Sequence, residues 1–239
     1  MTHPDRRCTY PGDMTPYQRL VSRAATSGAD PFVTWYGGDG SRIDLSVTSF
    51  TNAVAKLAGL LNNELAVVPG DTLLLDLPCH WQLSVWLAAA DALGMDIEQA
   101  GAGVNAVDVI ATTDPQCELP GEKVLVPTSA MGLPGPSAPV GFVDQAREAM
   151  GQPDIFPDLG VSGRIRHQQD WFTDMTLRSH CQELAEASGL KSGGRLAVVD
   201  GGPDLLLAAY VLPLMADASI VLVEDPKIDV SAESVTARL

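Results

Sequence analysis

Apolar residues recur every three to four positions along several stretches of the chain, a spacing that places them on one face of a helix. Met14 to Ser27 shows this pattern, and Gly28 follows as a stop signal. A longer helix is expected from Ser46 or Thr48, as the cap, to about Leu65. Further helices are predicted at His80 to Leu93, Phe142 to Met150, Thr176 to Ser188, Pro203 to Met215 and Ser231 to Leu239.

Short apolar and β-branched runs lie between these helices and are typical of strands. Phe32 to Tyr36 and Arg42 to Leu45 flank a Gly-rich turn, which predicts a small N-terminal β-hairpin. Gly151 to Asp170 lacks periodicity and is predicted to be a long connection. The remaining strands are predicted at Thr72 to Leu77, Met95 to Glu98, Val107 to Thr112, Lys123 to Pro127, Arg195 to Val199 and Ser219 to Val223.

Because helices alternate with strands, we expect a three-layer α/β fold with mostly parallel sheets and helices on both faces. A strand–helix–strand unit occurs twice, at residues 70–98 and 193–223, with Asp76 and Asp200 closing the first strand of each. This predicts two similar α/β halves, residues 1–120 and 121–239, packed as one compact unit. The alternative is that any two such units look alike without being a repeat.

The charge balance narrows the classes of partner. The 239 residues include 30 acidic and 15 basic side chains, a net charge of −15, which argues against a nucleic-acid or anionic membrane surface. No apolar run is long enough to span a bilayer. The four cysteines form no CxxC pair and the N-terminus has no apolar signal segment, so we expect a cytoplasmic protein with reduced thiols.

Two strand-to-helix turns are candidate ligand sites, because open α/β sheets bind ligands at the carboxyl ends of their strands. Cys79, His80 and Trp81 form the first turn, where a thiol at a helix start can have a lowered pKa and a histidine can act as a base. Gly201 and Gly202 lie in the second, where an anion could approach the helix N-terminus. Ordinary packed turns are the alternative at both places.

Three further motif types, for dinucleotide binding, metal binding and serine hydrolysis, are incomplete in this sequence. Gly101 to Ala106 matches a dinucleotide-binding fingerprint, but a strand rather than the required helix follows it. The four histidines have no metal-binding spacing, so no metal site is predicted. Ser129 and Ser162 lie outside a GxSxG elbow, and no catalytic residue is predicted.

Several segments, taken in order, resemble the N-terminal part of the adenylate-forming enzymes, which include acyl-CoA synthetases, luciferases and peptide-synthetase adenylation domains. The resemblance covers residues 30–112 and, less closely, residues 171–225. The segments are Val33 to Tyr36, Leu57 to Leu61, Val67 to Thr72, Leu87 to Gly94, Val107 to Thr112, Leu177 to Leu190, Gly193 to Leu196 and Leu212 to Leu214.

The sequence departs from that family where ATP would bind. The family's phosphate loop belongs between Pro157 and Asp174, yet no Thr-Gly-x-Pro-Lys occurs there, and no Lys lies between Lys123 and Lys191. The loop from Thr128 to Gly135 has a superficial likeness but lacks the Lys. The family's later adenine, magnesium and ribose motifs and its C-terminal catalytic Lys are not found. The resemblance is therefore to a short, degenerate relative.

This resemblance implies a binding or regulatory module that lacks adenylation activity by itself. Its expected ligand is an acyl compound or ATP/AMP, and no cofactor is assigned. One alternative is a ligase-like subunit that needs a partner to supply the lid and the Lys. Another is an unrelated small-molecule enzyme using the Cys79–His80 turn. Homodimerisation, or contact with a larger ligase, would cover an exposed apolar surface. The expected contributors to that surface are Trp86, Leu87, Leu212 and Leu214.

Overall fold

The computed structural model describes residues 14–101, 107–127, 129–199 and 202–239. The α-helices are α1 (Pro16–Ser27), α2 (Val47–Asn63), α3 (Trp81–Leu93), α4 (Gln145–Glu148), α5 (Asp174–Ser188) and α6 (Leu212–Met215). The strands are β1 (Pro31–Tyr36), β2 (Arg42–Ser46), β3 (Thr72–Asp76), β4 (Asp96–Gln99), β5 (Val109–Thr112), β6 (Glu122–Leu125), β7 (Phe142–Asp144), β8 (Ile165–His167), β9 (Asp170–Phe172), β10 (Arg195–Val199), β11 (Ser219–Val223) and β12 (Ala237–Arg238).

The strands form two sheets. One has five strands in the order β12-β10-β11-β1-β2, and the other has seven in the order β7-β6-β5-β3-β4-β8-β9. Neighbouring strands are parallel except for the antiparallel pairs β1–β2 and β8–β9. The predicted α/β class, the mostly parallel pairing and the N-terminal hairpin are confirmed.

Both sheets face one shared core. In β3, Leu73 and Leu75 belong to this core, while Leu74 joins a small cluster on the outer face. In β11, Ile220 belongs to the core and Val221 to a second outer cluster. This alternation follows from the two-residue period of a strand. The core also contains side chains of α1, α2, α3 and α5, so the layers run sheet, helices, sheet.

Helix α3 is the centre of this arrangement, because all of its residues are buried. His80 caps its N-terminus, and Gly94 ends it in the left-handed conformation at φ 68°, which glycine adopts without steric cost. Helix α3 contacts β1 of one sheet and β4 of the other, so the segment that follows β3 lies between the two sheets.

The two strand–helix–strand copies each form an adjacent parallel pair, β3 with β4 and β10 with β11. The sheets nevertheless draw strands from distant parts of the chain. The hairpin β1–β2 pairs with β11, and the hairpin β8–β9 joins the sheet that contains β3. The division into residues 1–120 and 121–239 therefore does not coincide with the sheets, and it stays a prediction about domains.

The stretch from Phe142 to Met150 is not one helix. It begins with β7, which pairs with β6 at the edge of the sheet, and continues as α4 and a single 3₁₀ turn. The long connection predicted from Gly151 to Asp170 contains β8 and leads into β9. Strands of three residues are too short to show a period, so pairing with distant partners decides them.

The two C-terminal helices predicted from the sequence also differ. Pro203 to Met215 contains a π-helical stretch, Leu207–Val211, before α6, and Pro213 has no N–H to continue a regular ladder. Ser231 to Leu239 forms one 3₁₀ turn and then β12. Glu233, the last residue of that turn, forms ion pairs with Arg42 of β2 and Arg195 of β10, at 2.9 and 2.7 Å, which hold the segment against the sheet.

The apolar residues proposed to form an exposed surface lie in the core instead. Trp86, Leu87, Leu212 and Leu214 are 0 to 4% exposed, so they cannot form a dimer surface. Homodimerisation itself stays a prediction. None of the helices in the described part of the chain is both long and apolar enough to cross a bilayer.

Candidate functional site

A cavity of about 380 Å³, which we name the edge cavity, opens where strands of both sheets end. Gly38, Leu77, Thr113, Val126 and Glu224 line it, and they follow the carboxyl ends of β1, β3, β5, β6 and β11. From β3 the chain passes to β4 on one side and then to β5 on the other. Open α/β sheets bind ligands at such a reversal of strand order.

The wall of the edge cavity is mainly apolar. Trp35 packs against His80 with ring centroids 4.2 Å apart, and its Nε1 donates to the carbonyl oxygen of Cys79 at 3.0 Å. The ring of Trp81 also lies close to His80, with centroids 5.5 Å apart. Its Nε1 donates to the carbonyl oxygen of Ala130 at 2.8 Å, which holds the loop bearing Ser129 against the cavity.

His80 supplies the chemically distinct group of the edge cavity. Its Nδ1 accepts a hydrogen bond from the backbone N–H of Gln82 at 3.1 Å, so in the neutral ring the proton is on Nε2. The residue is 6% exposed, and burial lowers the pKa of His80 to about 4. Nε2 has no hydrogen-bond partner among the described residues. His80 is therefore a neutral ring whose Nε2–H is buried and has no hydrogen-bond partner among the described residues.

Among the described residues that line the edge cavity, the charged groups are Asp39 and Glu224, and both are acidic. Glu224 Oε2 accepts from the backbone N–H of Gly38 at 2.8 Å, and Asp39 Oδ1 accepts from the backbone N–H of Ser41 at 2.9 Å. None of the described residues that line the cavity is Lys or Arg. Phosphate groups are held by cations and by glycine-rich N–H cradles, so this lining disfavours them.

Comparison with known proteins identifies the fold to which this cavity belongs. No protein-family model matches the chain. It is 29% identical to a Mycobacterium tuberculosis protein described as a TIGR03089 family protein, over 82% of this chain and 84% of that one. An acyl-CoA synthetase from Brucella canis matches with a TM-score of 0.74 at 13% identity, over 94% of this chain and 47% of that chain.

An acetoacetyl-CoA synthetase from Streptomyces lividans matches with a TM-score of 0.67 at 16% identity, over 89% of this chain and 38% of that chain. The chain has the fold of the acyl-CoA synthetases. It spans less than half the length of these two solved structures. The resemblance predicted from the sequence is thereby confirmed for the fold.

The segment in which the resemblance places the family's phosphate loop, residues 157–174, contains β8 and β9. Ser162 Oγ donates to Asp91 at 3.0 Å, and Arg164 forms an ion pair with Asp96. A Cβ on Gly163 would lie 1.6 Å from the carbonyl oxygen of Met95. These contacts fasten the segment to the end of α3 and the start of β4, so its polar groups hold the fold together.

The other candidate loop, Thr128 to Gly135, does reach the edge cavity through Ser129. Thr128 lies outside the described residues. The Ser129 hydroxyl is already engaged, because it accepts from the backbone N–H of Leu133 at 2.9 Å and donates to the Leu133 carbonyl at 3.2 Å. The loop therefore contributes a wall to the cavity.

None of the remaining candidates in the described part of the chain is among the residues that line the edge cavity. Cys79 is 8% exposed and is not among the lining residues, which disfavours a nucleophilic thiolate. Asp200 and Gly201 lie outside the described residues, as do residues 102–106 of the dinucleotide-like pattern. Gly202 begins a 3₁₀ turn and does not line the cavity. A ligand role for these glycines stays a prediction.

One group of side chains could not be predicted from spacing. His167, His180 and Asp204, which we name the histidine–aspartate cluster, come from β8, α5 and the 3₁₀ turn Gly202–Asp204. Burial opposes ionisation of Asp204, but hydrogen bonds from His180 and His167 lower its pKa below the usual range. Two histidines 13 positions apart show no metal-binding spacing, so only the fold brings them together.

Proposed function

We propose that this chain is a small-molecule binding module that holds an uncharged acyl or aryl carbonyl group in the edge cavity and does not adenylate it by itself. The observation that carries the proposal is the buried Nε2–H of His80, a neutral donor with no partner among the described residues. An unsatisfied buried donor costs about 1 to 3 kcal/mol, and a ligand carbonyl that reaches Nε2 would recover it.

The lining supports a neutral ligand. Leu77, Pro78 and Val126 offer apolar contact, and His80 offers one donor. Asp39 and Glu224 would repel a carboxylate or a phosphate brought into the same space. A volume of about 380 Å³ lies at the small end of the usual range for ligand sites, which suits a benzoyl-sized or short acyl group.

The absence of adenylation is proposed on two grounds. A Mg–ATP complex needs a cradle of backbone N–H groups and a cation, and the described lining offers no Lys or Arg. The resemblance places the family's phosphate loop within residues 157–174, and there Ser162 and Arg164 are already bonded to Asp91 and Asp96. A ligase-like subunit completed by a partner chain is the second candidate, since the cavity is open at the carboxyl edges of both sheets.

Calorimetric titration with benzamide and benzoate tests the proposal. Benzamide is expected to bind more tightly than benzoate, because the amide carbonyl can accept from His80 and carries no charge toward Asp39 and Glu224. His80→Phe keeps an aromatic ring beside Trp35 and Trp81 but removes the Nε2–H donor, together with the Nδ1 cap of α3, so benzamide affinity should fall about tenfold. Affinity of the unchanged chain should be constant from about pH 5.5 to 8, because the pKa of His80 is about 4.

Ser129→Ala is the matched control, because it removes a polar group of the same cavity whose hydrogen bonds are already made within its own loop. It should leave benzamide affinity unchanged. Equal affinity of the unchanged chain and the His80→Phe variant, preference for benzoate, or no benzamide binding at millimolar concentration would contradict the proposal.

A further inference from the structure

The histidine–aspartate cluster lies apart from the edge cavity, since none of its members lines that cavity. Nε2 of His167 and Nε2 of His180 both approach Oδ1 of Asp204, at 2.8 and 3.0 Å. All three candidate ligand atoms lie within 4.8 Å of one another. Three donor atoms from three separate elements therefore converge on one point.

Neighbouring side chains hold the two imidazole rings in place. Phe172 stacks on His167 with ring centroids 4.9 Å apart and meets the ring of His180 edge-on at 5.4 Å. Glu183 Oε2 lies 3.7 Å from Nδ1 of His180, on the side of the ring away from Asp204. A carboxylate behind a histidine commonly orients the ring when its other nitrogen binds a metal.

We propose that His167, His180 and Asp204 bind one divalent transition-metal ion, with zinc the expected ion. Two imidazole nitrogens and one carboxylate oxygen are a ligand set that zinc accepts, with a fourth position left for water. Metal–ligand distances of about 2.0 to 2.2 Å separate tetrahedral ligand atoms by about 3.3 Å. The two nitrogen–oxygen distances therefore need to open by only a few tenths of an ångström.

Such an ion would clamp three elements together. It would tie the hairpin β8–β9 to α5 and to the turn that precedes the π-helical stretch. His167 is 10% exposed at its side chain, and His180 and Asp204 are each 26% exposed, so an ion and one water can reach the site. The net charge of −15 favours cation uptake.

The test is calorimetric titration of the full chain with zinc chloride after treatment with a chelator. One ion per chain is expected to bind. Asp204→Asn and His167→Gln should each weaken binding on the order of a hundredfold. Asp170→Asn is the matched control, because it removes an exposed carboxylate of the same hairpin outside the cluster, and it should bind as the unchanged chain does. Equal affinity of the Asp204→Asn variant and the unchanged chain would overturn the proposal.

Cobalt(II) gives a second readout that does not depend on the variants folding. The unchanged chain loaded with one equivalent of Co²⁺ should show visible d–d bands of a four- or five-coordinate ion with nitrogen and oxygen ligands. A strong near-ultraviolet thiolate-to-cobalt band would place the ion on a cysteine and overturn the assignment. So would a spectrum identical to that of hexaaquacobalt.

Discussion

Replacing Asp91 by alanine should lower the free energy of unfolding by about 3 kcal/mol. Asp91 is 7% exposed in the last turn of α3. Its Oδ2 accepts from the backbone N–H of Tyr17 and from the hydroxyl of Tyr210, each at 2.9 Å, and its Oδ1 accepts from Ser162 at 3.0 Å. The alanine variant leaves two buried donors, on Tyr17 and Tyr210, without an acceptor. Urea unfolding at pH 7 measures the loss.

Asp91→Asn is the matched control. It keeps one oxygen for Tyr17 and Tyr210, and its amide can donate to the Ser162 hydroxyl, so the loss should be no more than about 1 kcal/mol. A loss in the alanine variant equal to that in the asparagine variant would show that the acceptor does not matter. It would contradict the structural role of Asp91 as the acceptor for these two buried donors.

The same carboxylate should make stability depend on pH. Burial raises the pKa of Asp91 to about 6, although hydrogen bonds from Tyr210, Ser162 and Tyr17 oppose the rise. Between pH 4 and 6 the folded state therefore holds more protons than the unfolded state, so this contribution to stability falls as the pH rises and is lost above about pH 6. Asp91→Asn should remove this component from the pH profile of the unfolding free energy.

Replacing Gly163 by alanine is expected to cost about 2 to 3 kcal/mol of stability. A Cβ there would lie 1.6 Å from the oxygen and 2.4 Å from the carbon of the Met95 carbonyl, so the backbone must move. The movement would weaken the pairing of β4 with β8, where the N–H of Ile97 donates to the carbonyl of Arg164 at 2.7 Å. Thermal or urea unfolding measures the change.

Gly135→Ala is the control for that substitution, because a Cβ on Gly135 would meet no atom within 4 Å. It should change the unfolding free energy by less than about 0.5 kcal/mol. If Gly163→Ala were as stable as Gly135→Ala, the segment before β8 would not be packed tightly against the start of β4.

Long elements with a clear period could be predicted from the sequence. Helix α2 and the hairpin β1–β2 follow from their local patterns and lie within two residues of the predicted bounds. The strand–turn–helix from β3 to α3 could also be predicted, and with it the turn at His80, because a continuous apolar run followed by Pro78 ends a buried strand.

Features that depend on distant partners could not be predicted in the same way. The hairpin β8–β9 joins the sheet by pairing β8 with the free edge of β4. The segment that begins at Ser231 is held in place by the ion pairs of Glu233 with Arg42 and Arg195. The histidine–aspartate cluster joins residues 37 positions apart in the chain. The buried position of Asp91 could have been predicted, because it is the acidic residue in an otherwise apolar run from Leu87 to Leu93.

The central claim is that an acyl-CoA synthetase fold in this chain offers a carbonyl-binding cavity without the means to activate a ligand with ATP. ATP–pyrophosphate exchange by the purified full chain, assayed with a broad panel of aryl and acyl acids, tests it most directly. No exchange above the level without protein is expected for any of the acids. Robust exchange by the chain alone with any one of them would contradict the claim.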